Sequence, residues 1–98
     1  MNIIFTVKTR NSKVIRLTSE QWKHISYRHP EMSNKIYEIE KALEYPEYKK
    51  ETENETKYYK YIKEESKYLR VAFIILNGEG FVITSYMTKK IQKWKTKK

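Results

Sequence analysis

His24, Arg28 and His29 fall within six residues of one another in the segment QWKHISYRHPE. Imidazole titrates nearest neutral pH, which suits it to general acid–base work. The planar guanidinium fork of arginine matches a phosphate bidentately. On a helix, His24 and Arg28 stand four apart, so their heads converge, and His29 follows directly at the helix end. The segment can therefore supply a proton-transfer group beside an anion clamp. The plainer account is that a histidine at a helix C-terminus partners the helix dipole, and that His-Pro-Glu marks a helix stop.

A second group lies in the C-terminal half. Arg70 is a charged residue flanked by Leu69 and Val71, and an arginine in an apolar strand needs a partner. In the strand Phe81 to Met87, alternation puts Val82, Thr84 and Tyr86 on one face, and Phe81, Ile83, Ser85 and Met87 on the other. Thr84 and Tyr86 then offer hydroxyls for phosphate, although both are also common strand residues. With a two- or four-residue Asn77-Gly78-Glu79-Gly80 turn, Arg70 falls opposite Met87 and on the other face from Thr84. A bulge or a three-residue loop would reverse that, because a one-residue slip swaps faces. Tyr59, Tyr61 and Lys63, interleaved with Tyr58 and Lys60, could stack bases and pair phosphates. They could equally form a tyrosine-rich edge guarded by lysine. Lys89 and Lys90 open a lysine-rich C-terminal stretch that adds phosphate attraction or remains a solvated end.

Lys and Arg number 21 against 12 Asp and Glu, a formal net charge of +9. Such an excess favours phosphate-rich partners, RNA first among them, whereas charge for solubility alone is the bland alternative. There is no cysteine, hence no disulfide framework and no thiolate chemistry. No Walker loop, dinucleotide-binding glycine pattern or metal-ligand spacing is present, so no metal and no cofactor is expected. The apolar run Ile3-Ile4-Phe5 lacks a cleavage pattern and does not read as a signal peptide. No stretch approaches the roughly 20 apolar residues that span a bilayer. The expected setting is the cytoplasm.

The elements that must position these residues follow from pattern. Residues 3–8 and 13–17 read as a hairpin about Asn11-Ser12. Thr18, three residues before Gln21, opens a helix to about Arg28 with Trp22 and Ile25 facing the sheet, and Pro30 stops it. Ser33 caps a second helix with Ile36, Ile39 and Leu43 at helical spacing, ended by Pro46. Residues 51–56 read as a loop, followed by strands over 57–63, 68–76 and 81–87. Ile91 and Trp94 suggest a short helix leading into the basic tail. One α+β domain is expected, with helices packed on one face of an antiparallel sheet of four or more strands.

The runs LTSEQWKHISYRHPEM, KALEYPE, YYKY and YLRVAFIILNGEGFVITSYMTKKI together resemble the barnase–EndoU–colicin–RelE (BECR) superfamily, in particular small phage- and toxin-type nucleases. The resemblance covers roughly residues 14 to 91. It implies two N-terminal helices against a four-stranded antiparallel sheet, and metal-independent RNA cleavage to a 2′,3′-cyclic phosphate. It also implies an antitoxin or immunity protein as a partner. By this likeness His29 is the leading acid or base, with His24 a lesser candidate. Arg28 and Arg70 stabilise phosphate, and Thr84 and Tyr86 supply the hydroxyl pair. A non-catalytic nucleic-acid-binding module is the competing expectation.

Overall fold

The structure is a computed structural model that describes residues 2–91. A hairpin of β1 (Ile3–Lys8) and β2 (Val14–Thr18) leads into α1 (Ser19–Arg28), a 3₁₀ turn at Pro30–Met32, and α2 (Ile36–Glu44). An antiparallel meander follows: β3 (Tyr48–Glu51), β4 (Thr56–Ile62), β5 (Lys67–Leu76) and β6 (Glu79–Thr88). The six strands form one sheet in the order β1-β2-β6-β5-β4-β3.

This corrects the expected architecture while keeping the α+β class. The sheet has six strands, within the four or more that the pattern gave but not the four that the resemblance implies. It is mixed, because β2 pairs parallel to β6 through Ile15–Gly80 and Arg16–Phe81. The helices follow the first hairpin and are not N-terminal. A parallel pair needs a long crossover, and the whole stretch from α1 to β5 supplies one. β3 escapes the sequence reading because it is a short, charged edge strand with no apolar alternation, the form that discourages edge-to-edge pairing.

Local chemistry explains the element ends. Thr18 caps α1, its hydroxyl oxygen accepting from Gln21 N at 3.1 Å. Ser33 does not cap α2. It closes the 3₁₀ turn, and α2 begins at Ile36 after Lys35, with no side-chain cap. Lys35 is instead buried and reaches Glu65 beyond β4 at 2.5 Å, tying the start of α2 to the β4–β5 turn. Asn77 and Gly78 both take positive φ (52° and 82°), as a two-residue type I′ turn requires. The pair flanking that turn is therefore Leu76–Glu79.

The core lies between the helices and one sheet face. Ile25, Met32, Ile39, Ala42 and Leu43 pack against Val7, Ile15, Leu17, Tyr58, Leu69, Val71, Phe73 and Val82, with Trp22 half-buried at the margin. Each fully buried large aliphatic or aromatic side chain contributes roughly 1.5–3 kcal/mol. The parallel contact of β2 with β6 is close. A Cβ added to Gly80 would lie 2.7 Å from Ile15 Cγ1 and 3.0 Å from the Val14 carbonyl oxygen. Gly80→Ala is therefore expected to destabilise by about 1–3 kcal/mol through overpacking, measured by urea denaturation. A loss below about 0.5 kcal/mol, within the range of ordinary surface changes, would contradict this close approach.

Candidate nucleic-acid interface

Directly opposed residues in a sheet share a face, so the strand register fixes what stands opposite the helices. Three rows of side chains cross that open face. One runs Lys50, Lys57, Ala72, Thr84; the next Tyr48, Tyr59, Arg70, Tyr86; the last Tyr61, Tyr68, Thr88. Adjacent rows are two strand residues, about 7 Å, apart.

The β5–β6 register contains an irregularity, and it sets which residues share this face. From the turn, Ile74 pairs with Phe81 and Phe73 with Val82, but Ala72 then pairs with Thr84. Ile83 is the extra residue of a bulge. Beyond it Arg70 faces Tyr86, where an unbroken ladder from Leu76–Glu79 would give Ser85 and the expected register Met87, and it shares a face with Thr84. The expected division of β6 is corrected in the same way. Val82 joins Ser85 and Met87 on the core side, while Phe81 joins Thr84 and Tyr86 on the open side. The Arg70 guanidinium lies 4.8 Å from the Tyr86 ring centroid, and its Nη1 donates to the Tyr86 hydroxyl oxygen. From the core side, the buried Ser85 hydroxyl donates to the Arg70 carbonyl oxygen at 2.7 Å. Arg70 Nε is buried with no acceptor among the described residues.

His29 arrives from a different element. β2 leaves β6 after Phe81, and α1 takes over along the exposed edge, where Gln21 Nε2 donates to the Ile83 carbonyl oxygen. Eight helical residues advance about 12 Å and three strand residues about 10 Å, so the end of α1 comes level with Tyr86. There the His29 ring centroid is 5.1 Å from that of Tyr86, and Nδ1 is 3.9 Å from Glu31 Oε2. The imidazole remains 31% exposed, open to a substrate and to solvent protons.

The charges on this face crowd one another. The Lys50 ammonium is held below the ordinary lysine value of 10.5, first by lost hydration and then by Lys57 and Arg70, with Glu55 pulling the other way. Glu55 lies 3.2 Å from Lys57 Nζ. Lys50, Lys57 and Arg70 with Glu55 beside them form a cation-rich group of the kind that suits phosphate. Tyr59, only 1% exposed, lines with Arg70, Thr88, Lys90 and Ile91 a cavity of about 320 Å³.

Comparison with protein-family models, curated proteins and solved structures finds no match. The likeness to BECR nucleases therefore rests on the residues quoted for it.

The structure brings His29, Arg70, Tyr86, Thr84, Tyr59, Tyr61 and Lys90 to one face or its margin. It does not gather the rest. His24 and Arg28 are exposed on α1 and, among the described residues, make no hydrogen bond or ion pair with the cluster. Lys63 leaves the strand for a 3₁₀ turn, Lys60 is on the helix side with Nζ 3.3 Å from the Tyr45 carbonyl oxygen, and Lys89 is exposed past β6. The proposed tail helix, with Trp94 and Lys93, Lys95, Lys97 and Lys98, lies outside the described residues. Lys50 and Lys57 were missed; Lys57 precedes Tyr59 by two residues, and that period-two spacing was the available signal. Among the described residues no group of three or more His, Cys, Asp or Glu could hold a metal ion, and no helix is long and apolar enough to cross a membrane.

Because the folded Lys50 titrates below its unfolded value, its charge penalises folding wherever the unfolded lysine is protonated. That penalty fades as pH rises towards 10.5. Lys50→Gln should raise the urea midpoint at neutral pH and low salt. The gain over wild type should shrink in about 1 M salt, where the screening length is about 3 Å, and again as pH approaches the lysine range. A lower midpoint for the variant at low salt would contradict the like-charge cluster.

Proposed function

We propose that the open sheet face binds RNA and cleaves it by attack of a ribose 2′-hydroxyl on the adjacent phosphorus. The supporting observation is the convergence of His29, Tyr86 and Arg70, from the end of α1, β6 and β5, beside the cations Lys50 and Lys57. In this reaction the 2′-oxygen–phosphorus bond forms and the phosphorus–5′-oxygen bond breaks. One proton leaves the 2′-hydroxyl and one is delivered to the 5′-oxygen, giving a 2′,3′-cyclic phosphate and a free 5′-hydroxyl. The step needs a proton acceptor, a proton donor and cationic help for the charge gathering on the phosphorane.

His29, partly exposed beside Tyr86, is one proton-transfer group. The Tyr86 hydroxyl, oriented by Arg70, is the other. Arg70, with Lys50 and Lys57, stabilises the equatorial oxygens through fixed donors that need no reorganisation. Thr84, on the same face two residues before Tyr86, adds a hydroxyl for phosphate. No step requires a metal ion. This is also the chemistry that the BECR resemblance implies.

Purified protein should cleave total RNA in the presence of EDTA. His29→Ala and Tyr86→Phe should each slow cleavage by about 10²–10⁴-fold, the usual share of one proton-transfer group. Arg70→Ala should cost about 10²–10³-fold, the scale of one lost oxyanion donor. Circular dichroism confirms that each variant folds. Unchanged rates in all three variants would overturn the assignment. Intact RNA held at low salt, with affinity falling steeply as salt rises, would instead establish a binding module without catalysis.

A further inference from the structure

The aromatic residues beside the cations are arranged in a way that phosphate binding alone does not use. Tyr61 and Tyr68 are opposed on β4 and β5, their ring centroids 5.1 Å apart at 64°. Tyr48, on β3, meets Tyr68 at 6.0 Å and 77°. Such tilted contacts leave ring faces unstacked, and Tyr48 and Tyr61 are 49% and 41% exposed. Single exposed aromatics need no explanation, but a contiguous group on one face marks an interaction surface. β5 is paired on both sides at Tyr68, so edge protection does not account for that tyrosine, whereas the β3 ladder stops at Tyr59 and leaves β4 without a strand partner on that side at Tyr61. Where β3 ends, Glu47 Oε1 accepts from Tyr61 N at 2.5 Å, which holds the β4 backbone under the tyrosine.

We propose that Tyr61 and Tyr48, braced by Tyr68, form a stacking platform for unpaired bases of the strand whose phosphates meet Lys50, Lys57 and Arg70. The inference rests on the RNA reading of this face and narrows its substrate to single-stranded RNA. Lys50 and Lys57 stand in the first row, Arg70 and Tyr48 in the second, and Tyr61 and Tyr68 in the third, so a strand running along β4 crosses the rows and meets cations at one end and tyrosines at the other. In a duplex the base faces are stacked on one another, and A-form RNA offers mainly shape, phosphates and 2′-hydroxyls. It could engage the cations but not the tyrosines.

The test is binding by fluorescence anisotropy with three labelled probes. They are a 2′-O-methyl single strand that cannot be cleaved by 2′-hydroxyl attack, an abasic strand of equal length, and a perfect duplex. Wild type should prefer the single strand over both others. Tyr61→Ala and Tyr48→Ala should each lose about 5- to 150-fold on the single strand, as one stacked base predicts, and less than about 2-fold on the abasic strand. Tyr61→Phe, which keeps the ring, should bind as wild type. Equal affinity for the single and abasic strands, or equal losses on both in the variants, would overturn the platform and leave the charged face standing. A wild-type protein that binds no probe would overturn the RNA reading as well.

Discussion

Ile83 is the unpaired residue of the β5–β6 ladder, and the side of the sheet on which Thr84 and Tyr86 stand depends on it. Side chains alternate with a period of two, so one inserted residue exchanges the faces of everything beyond it. Upstream of the bulge, Val82 completes the core. Downstream, Ser85 and Met87 take over that role and release Tyr86 to the open face opposite Arg70. The bulge also turns its carbonyl towards α1, where Gln21 receives it. That contact fixes the helix whose far end carries His29. Register, helix docking and the His29–Tyr86–Arg70 contact are thus consequences of one local irregularity, consistent with the tendency of bulges to re-aim side chains next to functional sites.

The open face carries an energetic cost that the rest of the fold offsets. Lys50, Lys57 and Arg70 repel one another, with Glu55 offsetting part of that repulsion, and Arg70 Nε has no acceptor among the described residues. A buried donor left unmade costs about 1–3 kcal/mol. The opposing stabilisation comes from the continuous apolar layer beneath, where Leu69, Val71 and Phe73 alternate with Arg70 and Ala72 along β5. One strand therefore supplies core on one side and the charged face on the other. A polyanion would relieve the repulsion on binding, which is the physical sense in which the face is complementary to phosphate.

The parts legible in the sequence were those governed by short-range chemistry. The Thr18 cap, the apolar spacing of α2 and the Asn77-Gly78 turn all follow from residues a few positions apart, and His29, Arg70 and Tyr86 were candidates by residue type and resemblance. What escaped depends on distant pairing. The parallel β2–β6 contact joins residues on opposite sides of the whole helical segment, and nothing local specifies it. β3 has too few residues and too many charges to declare itself, and with it went Lys50 and the first row of cations. The bulge was open as an alternative, since turn residues set the first pairs of a hairpin but not a slip after the fourth pair. Lys63 was misplaced for the opposite reason: the strand pattern ran one residue into the 3₁₀ turn that ends it.

Backbone amide chemical shifts followed by NMR during titration with a short, uncleavable single-stranded RNA test the central claim most directly, because they locate the contact independently of catalysis. The account predicts that the largest changes fall on Lys50, Lys57, Arg70, Thr84, Tyr86 and His29, residues far apart in sequence that the bulged register brings to one face. Saturable changes confined to the exposed helix surface around Tyr27 and Tyr37, with the open face unmoved, would contradict it.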